Sequence, residues 1–370
     1  MGLQKPLLDP ISDTKPGKNN LITDVPGVRV GQQTIITDRL KTGVTTILPT
    51  TENIFENKLA AAGLVINGFG KSTGLIQVEE LGTLETPIVL TNTLSVGVAY
   101  NYLVKKALAE NPQIGLETGT VNPLVMECND GAVNNIRDLG VTEADIEAAF
   151  ANCSEQFEEG CFGGGTGMCC YDLKGGIGSA SRQIEIDGQT FTLGVLVMSN
   201  YGYVSDLNIY DQPIGQQISQ LDEYHKRDED GSIITIIATD IPFNSRQLKR
   251  IAKRSSVGIT RTGSFIGNDS GEITLAFSTA NQIKHEPKHQ LMTHQAISDD
   301  QMDRYFRMTV SAVEEAIISS LVHATTTIDR KGQQRLSLTD ALKKVANKDS
   351  AAAPQIAKLQ AQLGLETSFA

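Results

Sequence analysis

The sequence predicts an α/β fold, on three observations. Short β-branched runs recur between glycine-rich turns, helical patterns alternate with them, and the composition is rich enough in apolar residues for a large core. The strand runs are Gly63–Gly68 (GLVING), Thr86–Thr93 (TPIVLTNT), Phe191–Asn200 (FTLGVLVMSN), Ser232–Asp240 (SIITIIATD) and Ile273–Thr279 (ITLAFST). The run at Ser232 is apolar on both faces, as in a strand sandwiched between layers. Thr142-Glu-Ala-Asp reads as the capped start of a helix that continues through Ile146 and Phe150. Gln247–Val257 places Leu248, Ile251 and Ala252 on one stripe, Asp300–Ala324 gives the longest helical pattern, and Leu338–Leu365 suggests helical elements broken near Pro354. At 370 residues, 40% hydrophobic and 20% charged, the chain has room for one large domain or two smaller ones. It contains no internal repeat.

Composition excludes several functions. A net charge of −11, spread along the chain rather than gathered in a tail, argues against a nucleic-acid partner, which requires a basic face. The five cysteines include the adjacent pair Cys169 and Cys170 and show no CxxC spacing of a zinc or redox site; reduced thiols in a reducing compartment are expected. The N-terminal stretch lacks the apolar run of a secretory signal, Pro6 spoils a myristoylation pattern, and no stretch reaches transmembrane length. A cytoplasmic protein with no membrane partner is the expectation.

Three motifs invite functional readings and fail on chemistry. Gly163-Gly-Gly-Thr-Gly-Met168 lacks the Gly-Lys-Ser/Thr of a phosphate loop, and Gly70-Lys71-Ser72 has Val65 where that loop needs its first glycine. Both read instead as turns that let backbones approach closely. His285-Glu286-Pro-Lys-His289 spells the HExxH of zinc peptidases, with Glu314 or Glu315 as a third ligand, and a zinc metallopeptidase is the alternative it raises. That chemistry needs both histidines one turn apart on a continuous helix, and a proline inside such a turn costs about 3 kcal/mol. His225, His294 and His323 suggest no Ser-His-Asp arrangement, so a serine hydrolase here needs another base.

The sharpest feature is a junction. From Tyr210 to Gly231 the chain turns polar and ends in a dense charge run, then meets the apolar strand that starts at Ser232. Exposed loop tips tolerate backbone cleavage. A serine at the head of a new chain carries its own base: an α-amino group has a pKa of about 7.7–8.0, against about 10.4 for lysine, so a useful fraction is neutral near neutral pH. Covalent geometry holds that amine within reach of Oγ. Gly231 suits self-cutting because glycine exposes its carbonyl to the neighbouring hydroxyl.

Asp230–Ser264 (DGSIITIIATDIPFNSRQLKRIAKRSSVGITRTGS) resembles the start of the small chain in the self-processing β-peptidyl aminopeptidase family, also described as L-aminopeptidase/D-esterase. Further blocks resemble that family in the same order: Leu21–Gly31, Thr91–Gly97, Glu127–Gly131 (ECNDG), Gly163–Met168 with Lys174–Arg182, Leu193–Gly202 and Asp269–Thr279 (DSGEITLAFST). Together they span roughly residues 20–325. The resemblance implies a four-layer αββα-type sandwich forming a single autoprocessed unit, cut into a large chain, 1–231, and a small chain, 232–370. It makes Gly231–Ser232 the cleavage site, Ser232 the nucleophile, Ser270 and Glu272 its support, Asn200 the oxyanion donor and Glu127 the acid that holds the substrate's amino group. Residue spacing agrees for Ser270 and Glu272, which stand two apart at a strand entry and so share a face.

The implied activity is that of a serine aminopeptidase or amidase acting on small peptides or aminoacyl amides and esters without metal or organic cofactor, as a homotetramer of processed pairs. Asn129 stands where relatives often carry an aromatic residue, and neither Ala132 nor the tail beyond about residue 330 follows a family motif. The related self-cleaving ornithine acetyltransferases use a threonine in a KGATM-like context, unlike DGSII here. A non-enzymatic relative with the same fold would remain one unbroken chain.

Overall fold

The computed structural model describes residues 13–224 and 231–365; the charge run at 225–230, with His225, lies outside them. The principal strands in chain order are β1 (Arg29–Ile36), β2 (Lys41–Leu48), β3 (Asn57–Gly68), β4 (Ile88–Asn92), β5 (Leu124–Cys128), β6 (Gly176–Ile186), β7 (Gln189–Asn200), β8 (Ser232–Thr239) and β9 (Gly271–Lys284). The principal helices are α1 (Val96–Glu110), α2 (Glu143–Ala151), α3 (Ser245–Ala252), α4 (Ser255–Arg261), α5 (Met302–Val322), α6 (Leu338–Lys348) and α7 (Ala353–Gln362).

Two sheets carry the fold. The larger has seven strands, ordered Thr14–Lys15, β6, β7, β8, β9, β3, Thr83–Leu84, and the smaller has four, ordered β1, β2, β4, β5. β8 and β9 pair in parallel, as do β4 and β5, and the remaining principal pairings are antiparallel. Alternation along β8 shows how the layers stack. Ile234, Ile236 and Ala238 join a core that also takes Leu90 and Met126 of the smaller sheet, whereas Ile233 and Ile237 join a core built with Ala312, Ile317 and Leu321 of α5. A third core packs Ala99 and Leu103 of α1 and Ile146 of α2 against Val89 and Val125. The order is helices, sheet, sheet, helices: the expected αββα sandwich. Each isoleucine fully buried in β8 contributes roughly 1.5–3 kcal/mol, so this central strand is among the firmest parts of the molecule.

The local predictions hold with one correction. Thr142 caps α2 through a hydrogen bond accepted from Asp145 N. The stretch predicted as one helix over Gln247–Val257 is two, α3 and α4. Buried Ser255 donates its hydroxyl to the carbonyl of Ala252 at 2.7 Å and meets Thr274 Oγ1 at 2.7 Å, a side-chain to backbone bond that competes with helix continuation. The tail breaks between Lys348 and Ala353, with Pro354 in the first turn of α7, where a missing N–H costs nothing. The Gly163–Met168 run is a packing device. A Cβ on Gly165 would lie 2.5 Å from Ile177 N and 2.6 Å from Gly160 O.

Candidate active site

Ser232 is the first residue of β8, in the middle of the larger sheet, and is 5% exposed. Its Cα pairs with Asn200, the last residue of β7, on one side and with Gly271, the first residue of β9, on the other. Strand register therefore brings three distant sequence segments to one point. Following the alternation of β8, the Ser232 side chain belongs to the face toward the smaller sheet and Gly231 to the opposite face. Gly231 O accepts from Gly271 N at 3.3 Å, which holds the backbone just before the serine.

Asn200, 2% exposed, is held by its amide from two directions. Its Oδ1 accepts from Cys169 N at 2.8 Å and its Nδ2 donates to Asn129 O at 2.8 Å. Asn129 thus contributes its backbone carbonyl, while its own Oδ1 accepts from Gly131 N at 2.9 Å. The Cys169 amide is fixed in turn by Lys174. That lysine is fully buried, and its Nζ donates to Thr166 O at 3.2 Å and to Met168 O. Sequence reasoning missed Lys174, because nothing in the letters Lys-Gly-Gly marks a lysine whose ammonium is folded back onto carbonyls of the glycine-rich run.

Ser270 and Glu272 are brought together as expected, with Ser270 Oγ donating to Glu272 Oε1. Both are buried, at 5% and 0% exposed. Glu272 pairs in register with Ile233, which places it on the face of the sheet shared by Gly231. Ser270 and Gly231 both line a small cleft closed by Tyr203 and Phe265. The pair therefore lies beside Gly231, on the face of the sheet opposite the one assigned to the Ser232 side chain.

Glu127 lies on the other sheet, near the end of β5, and is 3% exposed. Its Oε1 accepts from Lys71 N at 2.8 Å and its Oε2 from Thr93 Oγ1. The next residue, Cys128, is 3.5 Å from Ser232 O through its Sγ, so Glu127 sits beside the start of β8 although the two belong to different sheets. Burial, with Glu127 nearby, pushes the Cys128 thiol well above its usual range, and it stays protonated rather than competing as a nucleophile. The Gly70-Lys71-Ser72 turn gains a purpose here: it supplies a backbone N–H that fixes Glu127.

The HExxH reading fails on geometry. Residues 285–290 are not helical; His285 Nε2 meets Thr118 Oγ1 at 2.7 Å and its ring packs on Phe55 at 4.5 Å. Among the described residues no group of three or more His, Cys, Asp or Glu is arranged to hold a metal ion. The histidine expectation needs a correction, since His323 does meet a serine and an acid. Ser319 Oγ donates to Glu159 Oε1 at 2.6 Å and lies 3.0 Å from His323 Nδ1. The hydroxyl proton is directed at the carboxylate, and His323 Nδ1 also faces Ser319 O at 3.0 Å; this cluster ties α5 to the loop before β6 rather than activating a nucleophile.

Residues 20–335 match peptidase family S58. The chain belongs to that family. The S58 chain is 36% identical over 335 residues to the beta-peptidyl aminopeptidase BapA of Sphingosinicella microcystinivorans, covering 84% of this chain and 83% of that one. Among solved structures it is similar to the PH0078 protein of Pyrococcus horikoshii OT3, at 46% identity and a TM-score of 0.85 over 92% of this chain and 98% of that one. It is also similar to the L-aminopeptidase D-Ala-esterase/amidase of Ochrobactrum anthropi, described as a prototype of the serine aminopeptidases and a variant of the Ntn hydrolase fold. That likeness stands at 36% identity and a TM-score of 0.82, over 92% of this chain and 96% of that one. As an S58 member this chain is a peptidase, a hydrolase of peptide or amide bonds. Among its described residues no helix is long and apolar enough to cross a membrane.

Proposed function

We propose that the chain cuts itself between Gly231 and Ser232 and then works as an N-terminal-nucleophile serine aminopeptidase or amidase. The observation that carries this reading is the meeting of three strand ends, which sets buried Ser232 between Asn200 and the Ser270–Glu272 pair. In the first reaction Ser232 Oγ attacks the Gly231 carbonyl carbon. The peptide C–N bond breaks, its nitrogen takes up the hydroxyl proton, and an ester joins the two segments. Water then hydrolyses the ester, leaving a Gly231 carboxylate and a free Ser232 amine. The products, 1–231 and 232–370, remain associated, because β8 is hydrogen-bonded on both sides to strands of the same sheet.

In turnover, the Ser232 amine takes the Oγ proton as Oγ attacks the carbonyl of the substrate's first residue. Asn200 donates to the oxyanion, the departing amine takes the proton from the ammonium, and water releases the acyl group. Ser270 and Glu272 orient the Ser232 amine and balance its charge, and Glu127 holds the substrate's own ammonium. The related beta-peptidyl aminopeptidases and the L-aminopeptidase D-Ala-esterase/amidase support a substrate with a free N-terminal amine. A homotetramer of processed pairs in the cytoplasm completes the reading. The test is a panel of aminoacyl amides and anilides, α and β, L and D. Turnover of any free-amine member by cleaved protein, lost in Ser232→Ala, is expected; cleaved protein inert across the panel would overturn the activity.

A further inference from the structure

Beside Asn200 the surface opens into a cavity of about 480 Å³ whose wall contradicts the chain's overall acidity. Arg39, Arg137, Arg330, Lys331 and Arg335 line it, against Asp138 as the sole lining carboxylate among the described residues. Arg39 is engaged with Asp138, at 2.7 and 2.9 Å, and Arg335 with buried Asp329 at 3.0 Å. No ion pair within the described residues involves Arg137 or Arg330.

The basic wall is built, not merely exposed. Thr327–Ile328 and Gln334–Arg335 pair as a short hairpin. Within its turn Asp329 Oδ1 accepts from Lys331 N at 2.8 Å and from Gln333 N at 2.9 Å, while its Oδ2 holds Arg335. Arg330 then reaches across to Gly131 O, two residues beyond Asn129, whose carbonyl holds Asn200. The hairpin tip is thus pinned to the loop that fixes the oxyanion donor.

We infer that this cavity binds a carboxylate on the leaving residue, so that the preferred substrates are short zwitterionic peptides. The inference rests on the aminopeptidase reading and deepens it. The two flanks of Ser232 differ in sign. Glu127 lies with Gly70, whose own neighbour is Ile273 of β9, on one flank; the cationic cavity opens at Asn200 of β7, on the other. A substrate lying across Ser232 with its ammonium at Glu127 therefore directs its far end toward Arg137 and Arg330. Guanidinium groups suit such an end because their planar fork matches a carboxylate. The carboxylate can be the α-carboxylate of a dipeptide or an acidic side chain in the leaving residue.

The test compares three substrates sharing one N-terminal residue: the glycine dipeptide acid, the glycine dipeptide amide, and an aspartyl amide. For cleaved wild-type protein kcat/KM is expected to be about tenfold or more higher for a carboxylate-bearing substrate than for the neutral amide, chiefly through KM. That preference should shrink as salt is raised. Arg137→Ala and Arg330→Ala should each bring the ratio of acid to neutral substrate toward one, and Arg137→Lys should restore part of it. Which acid substrate leads tells which carboxylate is read. Equal kcat/KM for all three, with the neutral amide still turned over, would overturn the carboxylate site and leave the aminopeptidase standing; no turnover of any of them would overturn both.

Discussion

Gly231 packs so closely on Asn200 that a Cβ placed on it would lie 1.4 Å from the Asn200 carbonyl oxygen. At the proposed cut site glycine is required for lack of space more than for its dihedral freedom. Gly231→Ala is therefore expected to push the scissile linkage away from Ser232. A time course on denaturing gels should show the uncut chain persisting, with overpacking lowering stability by about 1–3 kcal/mol. Processing at the wild-type rate would mean the backbone here yields more easily than its packing implies.

Asn200→Ala removes the amide proposed to donate to the oxyanion and strips Cys169 N and Asn129 O of their partner. Loss of one oxyanion donor typically lowers turnover by about 10²–10³. The expected result, read from steady-state kinetics on protein already cleaved, is a fall of that order in kcat with a smaller change in KM. A variant with kcat within a few-fold of wild type would remove Asn200 from the mechanism.

Glu127→Gln keeps the shape and abolishes the charge. Since the carboxylate is buried and fixed by Lys71 N and Thr93 Oγ1, little rearrangement is expected. KM for free-amine substrates should rise about tenfold or more, as expected for losing a charge-assisted hydrogen bond. An unchanged KM would place the substrate ammonium elsewhere.

Asp130 offers a pH test separate from catalysis. Burial pushes its carboxyl up to about 7, against the opposing pull of Thr42, Asn134 and Lys174. A carboxyl whose folded value lies above its unfolded one holds its proton more tightly when folded. Its stabilising contribution is complete below the unfolded value and is lost as pH rises through the folded one. The wild-type melting temperature should therefore carry a decline between about pH 4 and 7 that Asp130→Asn flattens. Parallel melting curves for the two proteins would contradict this.

The strand that begins at Ser232 was legible because both faces of β8 are buried, so its apolar run stands out against the polar segment before it. The junction at Gly231, proposed above as the cut site, stands out in the sequence for the same reason. Ser270 and Glu272 came from the resemblance, and their two-residue spacing agreed with it by putting both on one face of a strand. Asn200 and Glu127 came from ordered blocks of resemblance, since their neighbourhood depends on register between strands far apart in the chain. Lys174, the Lys71 N–H and the basic hairpin at Arg330 escaped notice: each acts through a fold-back or a contact with a backbone group, and the letters of a sequence carry no mark of it. The α3–α4 break escaped because one buried serine, Ser255, outweighed a continuous helical stripe.

The most direct measurement is the N-terminal sequence of the fragments that purified protein yields on a denaturing gel. Two bands are expected, the smaller beginning Ser-Ile-Ile-Thr at residue 232, with Ser232→Ala giving one uncut chain. Wild-type protein that hydrolyses aminoacyl amides while its 370 residues remain a single polypeptide would contradict the account.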